Sequence, residues 1–185
     1  MTTVGAIAVA GAAIVALYAM QNTQPGYGDI TGPLVVARGG PKEVLAARDF
    51  QVEVTGYKAA RRLKTVQYGK PGLLTTGGVW VLVAVKARAL ARTVTLTSAS
   101  WEGPSRARYH ASERLPSSLG MLSSARLDPG LEREALLAFE IPESELAGGT
   151  LRIAQTPYTP MRGEIVVGMP PFTGDRIVEE LDLGS

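Results

Sequence analysis

Cysteine is absent from this chain, and histidine occurs once, at His110. The first absence excludes disulfides, thiolate nucleophiles and Cys-based metal sites. The second excludes any metal centre built from several imidazoles. Aromatic residues are scarce, at 6%, so a core must rest on Val, Leu, Ile and Ala. That aliphatic supply fills one sandwich-sized domain of roughly 100–130 residues. A strong charge imbalance is missing too. The formal net charge is +2, too mild to indicate a nucleic-acid partner. No phosphate loop is present, because the Gly-Gly pairs at 39–40, 77–78 and 148–149 lack a following Lys-Ser/Thr. With no calcium-loop or zinc-ligand spacing either, no cofactor is expected.

What is present begins with an apolar run. From Thr3 to Met20 no charged side chain occurs. As a helix this segment is about 27 Å long, the thickness of a hydrocarbon core. Tyr18 sits where an interfacial aromatic belongs, and Pro25 with its neighbouring glycines ends the run. No Lys or Arg precedes it, and Leu17-Tyr18-Ala19 is a poor cleavage site. The expectation is therefore an uncleaved transmembrane anchor rather than a signal peptide. Gly5, Ala6, Ala8, Ala10, Gly11 and Ala12 are small, and Ala6/Ala10 and Ala8/Ala12 have the spacing that lets membrane helices pack closely. Ala-rich composition common to anchors is the alternative reading of the same residues. The first basic residue after the run, Arg38, is too distant to set topology strongly. The expected arrangement is a single pass in the cytoplasmic membrane, with the domain facing the periplasm or the cell exterior. The bilayer is then the first expected partner.

Beyond the anchor, short strands alternate with Gly and Pro punctuation. Phe50, Val52 and Val54 alternate with Gln51, Glu53 and Thr55, predicting a half-buried strand. Val79–Val85 is apolar on both faces and predicts a central strand covered on two sides. Val94 and Leu96, Leu151 and Ile153, and Glu164–Val167 give further strands. The segment from Leu131 to Glu140 has helical composition, but Ala135, Leu137, Phe139 and Ile141 alternate and Pro142 follows. We read it as a strand, with one helical turn over Pro142–Leu146. The chain divides into an anchor at 3–20, a linker with a possible first strand at 21–47, a domain at 48–170 and a tail at 171–185. The fold expected is mainly β, an antiparallel immunoglobulin-like sandwich preceded by one transmembrane helix.

The order of elements resembles the DUF4352 family of bacterial membrane-anchored domains. The elements that carry the resemblance are the strand Val81–Lys86, the segment Trp101–Tyr109, the turn Asp128–Gly130 and the strand Phe139–Pro142. It covers roughly residues 48–155. The family's usual asparagine after Val-Lys is absent, with Arg88 in that neighbourhood. The resemblance implies an immunoglobulin-like sandwich serving as an extracytoplasmic binding or accessory module, with no active site.

The residues themselves also argue against catalysis. A serine triad requires His110 as its base, and none of Ser98, Ser100, Ser105 or Ser112 sits in a nucleophile elbow. The carboxylates Glu132, Glu134, Glu140, Glu143 and Glu145 cluster around one strand, as expected for a solvated edge. No catalytic residue is assigned. One basic run stands out: Lys58, Arg61, Arg62, Lys64 and Lys70, interleaved with Tyr57 and Tyr68, in an expected loop or hairpin. It suits an anionic lipid, an envelope polysaccharide or an acidic partner, or it is a solvated surface. The acidic tail carries Ile177, Val178, Leu181 and Leu183, the pattern of an amphipathic turn that docks on a partner or frays. The expectation overall is a non-catalytic interaction protein, an accessory or structural subunit of a membrane or envelope complex. The alternative is a module that binds an anionic lipid or envelope polysaccharide.

Overall fold

A computed structural model describes residues 13, 15–20, 35–67, 69–157, 163–172 and 177–184. The chain forms two units, residues 1–32 and residues 33–185. Of the first, residues 13 and 15–20 are helical and exposed. Among the described residues no helix is long and apolar enough to cross a membrane. Gly5, Ala6, Ala8, Ala10, Gly11 and Ala12, and most of the expected anchor, lie outside the described residues.

The second unit is built almost wholly from strands. They are β1 (Val35–Gly39), β2 (Val44–Ala46), β3 (Phe50–Gln67), β4 (Lys70–Ala89), β5 (Val94–Thr95) and β6 (Ser98–Glu102). Then follow β7 (Arg108–His110), β8 (Arg126–Leu127), β9 (Arg133–Ile141), β10 (Thr150–Ala154), β11 (Gly163–Gly168) and β12 (Ile177–Asp182). One sheet has the order β1-β11-β10-β6-β7, the other β12-β3-β4-β9 with β2 also on β3. Most ladders are antiparallel, but β1 joins β11 and β12 joins β3 in parallel. The result is a mainly β sandwich. Strands β1 and β2 fall within the expected linker and belong to the second unit.

Alternation decides which side chains enter the core. Val79, Val81, Val83 and Val85 of β4 meet Leu151, Ile153, Ile165 and Val167 of the facing sheet in one buried cluster. The opposite face of β4 is also covered. Trp80 and Leu82 join Ala60, Leu63, Leu115, Met121 and Ala138 in a second, smaller cluster, flanked by Leu181 and Leu183 of the tail. This is why residues 79–85 of β4 are apolar at every position. The segment read as a strand against its helical composition is β9, and Glu143–Glu145 forms a single 3-10 turn.

Two glycines mark where backbones approach closely. A Cβ on Gly149 overlaps the Trp101 indole, and one on Gly78 overlaps the Ile141 carbonyl. Trp101 is thus packed directly on backbone, and its Nε1 donates to the Glu145 carbonyl oxygen at 2.9 Å.

Candidate functional site

The basic run lies on the β3–β4 hairpin, one of the two arrangements expected for it. These strands pair from Phe50↔Ala89 to Gln67↔Lys70, with register breaks between Val54 and Gly56 and between Ala60 and Arg62. Pairing of β4 with β9 ends at Val79↔Ile141. Past that point the hairpin continues beyond β9 as an arm, Arg62–Gln67 against Lys70–Thr75. The arm is a ladder because Leu63 and Thr65 alternate inwards and Leu63 is fully buried in the second cluster.

The acidic tail is the partner of that basic run. Strand β12 adds in parallel to the outer edge of β3, from Ile177↔Ala59 to Asp182↔Lys64. Glu179 pairs with Arg62 at 2.9 Å and with Arg61 at 3.8 Å. Arg61 also reaches Glu143 at 3.0 Å, and Lys64 meets Glu180 at 2.6 Å. The Glu180 carboxylate, as hydrogen-bond acceptor and as counter-charge, holds the Lys64 ammonium above its ordinary pKa. The tail is therefore an edge strand of its own domain, not a turn free for another protein. Leu181 and Leu183 supply its hydrophobic contact.

Of the five cations, Lys58 and Lys70 have no ion pair among the described residues, whereas Arg61, Arg62 and Lys64 are matched by carboxylates. Tyr57 turns into the sandwich and packs edge-on against Phe172, with centroids 4.9 Å apart. Tyr68 lies outside the described residues.

Two surface features emerge around this construction. On the arm, Lys64 faces Leu73 and Val66 faces Pro71 across the ladder, placing all four on one face. Val66 and Leu73 are 45% and 49% exposed. They border a depression of about 300 Å³ that Glu180 and Asp182 also line. The second feature is a groove of about 340 Å³ on the outer face of the same sheet, lined by Gly56, Lys58, Leu82, Ala84 and Leu136 with Leu181 and Leu183 of the tail. Sequence reasoning missed the groove. Its only sequence signal is the loss of alternation after Val54, where the register break brings Gly56 opposite Ala84.

The residues considered for catalysis are engaged elsewhere. His110 is exposed on the edge strand β7. Among the described residues its ring makes no hydrogen bond to Ser98, Ser100, Ser105 or Ser112. The Ser112 hydroxyl instead donates to Glu140 at 2.7 Å. Glu140 also takes Arg114, Glu132 takes Lys86 at 3.2 Å, and Glu145 accepts the Ser105 N–H. Glu134 stands 4.0 Å from Lys86. No group of three or more potential metal ligands occurs among the described residues. A further ionic cluster is structural: Arg152 bridges Glu102 at 2.9 Å and Glu164 at 3.1 Å, and Arg108 adds to Glu102 at 3.0 Å. Burial pushes the Glu102 pKa up, but the hydrogen bonds and charges of Arg108 and Arg152 outweigh it and hold the carboxyl below its ordinary value.

No protein-family model matches the chain, and no curated protein matches it. Among solved structures, the chain is similar to the yjhA protein from Bacillus subtilis, with 10% identity and a TM-score of 0.55 over 71% of this chain and 99% of that one. It is also similar to an uncharacterized beta-sandwich protein from Clostridium difficile 630, with 9% identity and a TM-score of 0.44 over 70% and 93%. At such identities the likeness concerns the fold alone.

Proposed function

We propose that this chain is a non-catalytic interaction protein, anchored in a membrane by its N-terminal apolar run and presenting an immunoglobulin-like sandwich outside the cytoplasm. Its role is that of an accessory or structural subunit of a membrane or envelope complex. The observation that carries this reading is the apolar face of the arm, where Val66 and Leu73 stand exposed beside Lys64 and Pro71. Aliphatic side chains held in fixed positions on a rigid ladder, with charges around them, have the composition of a protein-binding patch. Membership of a DUF4352-like group is part of the same proposal and agrees with a binding role.

The alternative, a module for anionic lipid or envelope polysaccharide, loses weight in its broad form. A polyanion needs several free cations along its path. Here Arg61, Arg62 and Lys64 are taken by Glu143, Glu179 and Glu180.

The test is extraction of tagged full-length protein from its native membrane in mild detergent, with mass spectrometry of what accompanies it. The expected result is a stoichiometric membrane or envelope protein, lost in the double variant Val66→Asp/Leu73→Asp. Recovery of the wild-type chain alone contradicts the proposal.

A further inference from the structure

The groove on the outer face of the β3–β4–β9 sheet has a chemistry distinct from the arm. Its floor is bare where Gly56 lies opposite Ala84, and a Cβ built on Gly56 meets nothing within 4 Å. Its walls are aliphatic, from Leu82 and Leu136 on the sheet and Leu181 and Leu183 on the tail. At about 340 Å³ it reaches the lower range of small-molecule sites, roughly 300–1,000 Å³.

Polar chemistry in the groove is confined to one end of the charge scale. The floor's backbone is committed to its ladders, Gly56↔Ala84 on one side and Ala84↔Leu136 on the other. The Ala84 carbonyl additionally accepts the Thr55 hydroxyl at 3.2 Å. A peptide laid here would leave its own amides without partners, at about 1–3 kcal/mol for each buried group. A hydrocarbon chain has no such groups. The one charged residue lining the groove is Lys58, exposed and without an ion pair among the described residues. Its neighbours Arg61, Arg62 and Lys64 are all matched by carboxylates.

We propose that this groove is a binding site for a single-chain anionic amphiphile, with the acyl chain over Gly56 and Ala84 and the carboxylate at the Lys58 ammonium. Leu181 and Leu183 make the site dependent on docked β12. The site does not include Val66 or Leu73, so it stands or falls independently of the arm's protein partner.

The test is calorimetric titration of the purified full-length chain with dodecanoate below its micellar range, and with dodecanol as the uncharged probe. Saturable binding at one site per chain is expected for the wild type. Gly56→Leu fills the floor and is expected to abolish binding of both probes. Gly56 does not have a positive φ, so a side chain there adds no backbone strain. Lys58→Gln, an exposed change that keeps the fold testable, is expected to weaken dodecanoate several-fold while leaving dodecanol unchanged. Absence of saturable dodecanoate binding overturns the proposal, as does equal binding by a folded Gly56→Leu variant. Equal weakening of both probes by Lys58→Gln overturns the placement of the head group.

Discussion

At the scale of single residues, the same amino acid carries opposite consequences in this fold. Gly149 lies against the Trp101 ring and Gly56 lies beneath open space. Gly149→Ala must displace a fully buried indole whose N–H is fixed on the Glu145 carbonyl. Overpacking of this kind costs about 3 kcal/mol, and thermal or urea unfolding will read it. Gly56→Ala is expected within about 0.5 kcal/mol of the wild type in the same assay. The Arg152 cluster gives a second residue-scale prediction, with pH as the variable. A carboxyl whose folded pKa is depressed stabilises the fold above its unfolded pKa and loses that contribution as pH falls through the folded value. Glu102 is such a group, held down by Arg108 and Arg152 against the effect of burial. Arg152→Ala leaves Glu102 and Glu164 short of a partner in partly buried surroundings. It should cost about 2 kcal/mol at neutral pH and move acid unfolding to higher pH. Acid titrations followed by tryptophan fluorescence will show the shift, and an unchanged acid limb would refute this assignment.

At the scale of elements, the central relation is the clasp between β12 and β3. It joins residues more than a hundred positions apart in the chain, as in Arg62–Glu179. Each ion pair is exposed and individually weak, because water screens it. The strand is held by their number together with Leu181 and Leu183. The double reversal Glu179→Lys/Glu180→Lys places like charges opposite Arg61, Arg62 and Lys64 and should free the strand. The readout is amide hydrogen exchange at Leu183, whose N–H donates to the Lys64 carbonyl at 2.9 Å. Its protection should fall to that of an unstructured terminus in the variant, and fall partly in the wild type at high salt. The Lys64 contribution has a definite pH sense. Its raised folded pKa means that it is fully present below the unfolded lysine value of about 10.4 and lost as pH rises beyond it. Unchanged Leu183 protection in the reversed variant would show that side-chain charge does not hold β12.

How far these elements were legible in the sequence follows from the range of their interactions. Strands β3, β4, β9, β10 and β11 declared themselves because alternation and Gly/Pro breaks are local. The full apolarity of Val79–Val85 even announced a second covered face, over which Leu115 and Met121 pack from the connection between β7 and β8. The arm and the tail were each visible as charged segments, one basic and one acidic. Their mutual pairing was not, since no local pattern specifies which distant edge a strand joins. The groove was hidden for a related reason. It depends on a register break after Val54 that no composition reveals.

At the scale of the whole molecule, the sandwich is a platform and the β12-β3-β4-β9 sheet carries both surface features, the groove on its outer side and Val66 with Leu73 on the opposite face of the arm. The facing sheet is spent on the core and on the Arg152 cluster. Photo-cross-linking in the native membrane tests this assignment most directly, with a benzophenone amino acid placed in turn at Leu73 and at Leu131. Leu131 is the more exposed of the two, 67% against 49%, and lies off the arm in the connection before β9. One discrete adduct with a membrane or envelope protein is expected from Leu73 and none from Leu131. Adducts that follow exposure, stronger from Leu131 than from Leu73, or no adduct from Leu73, would contradict the assignment.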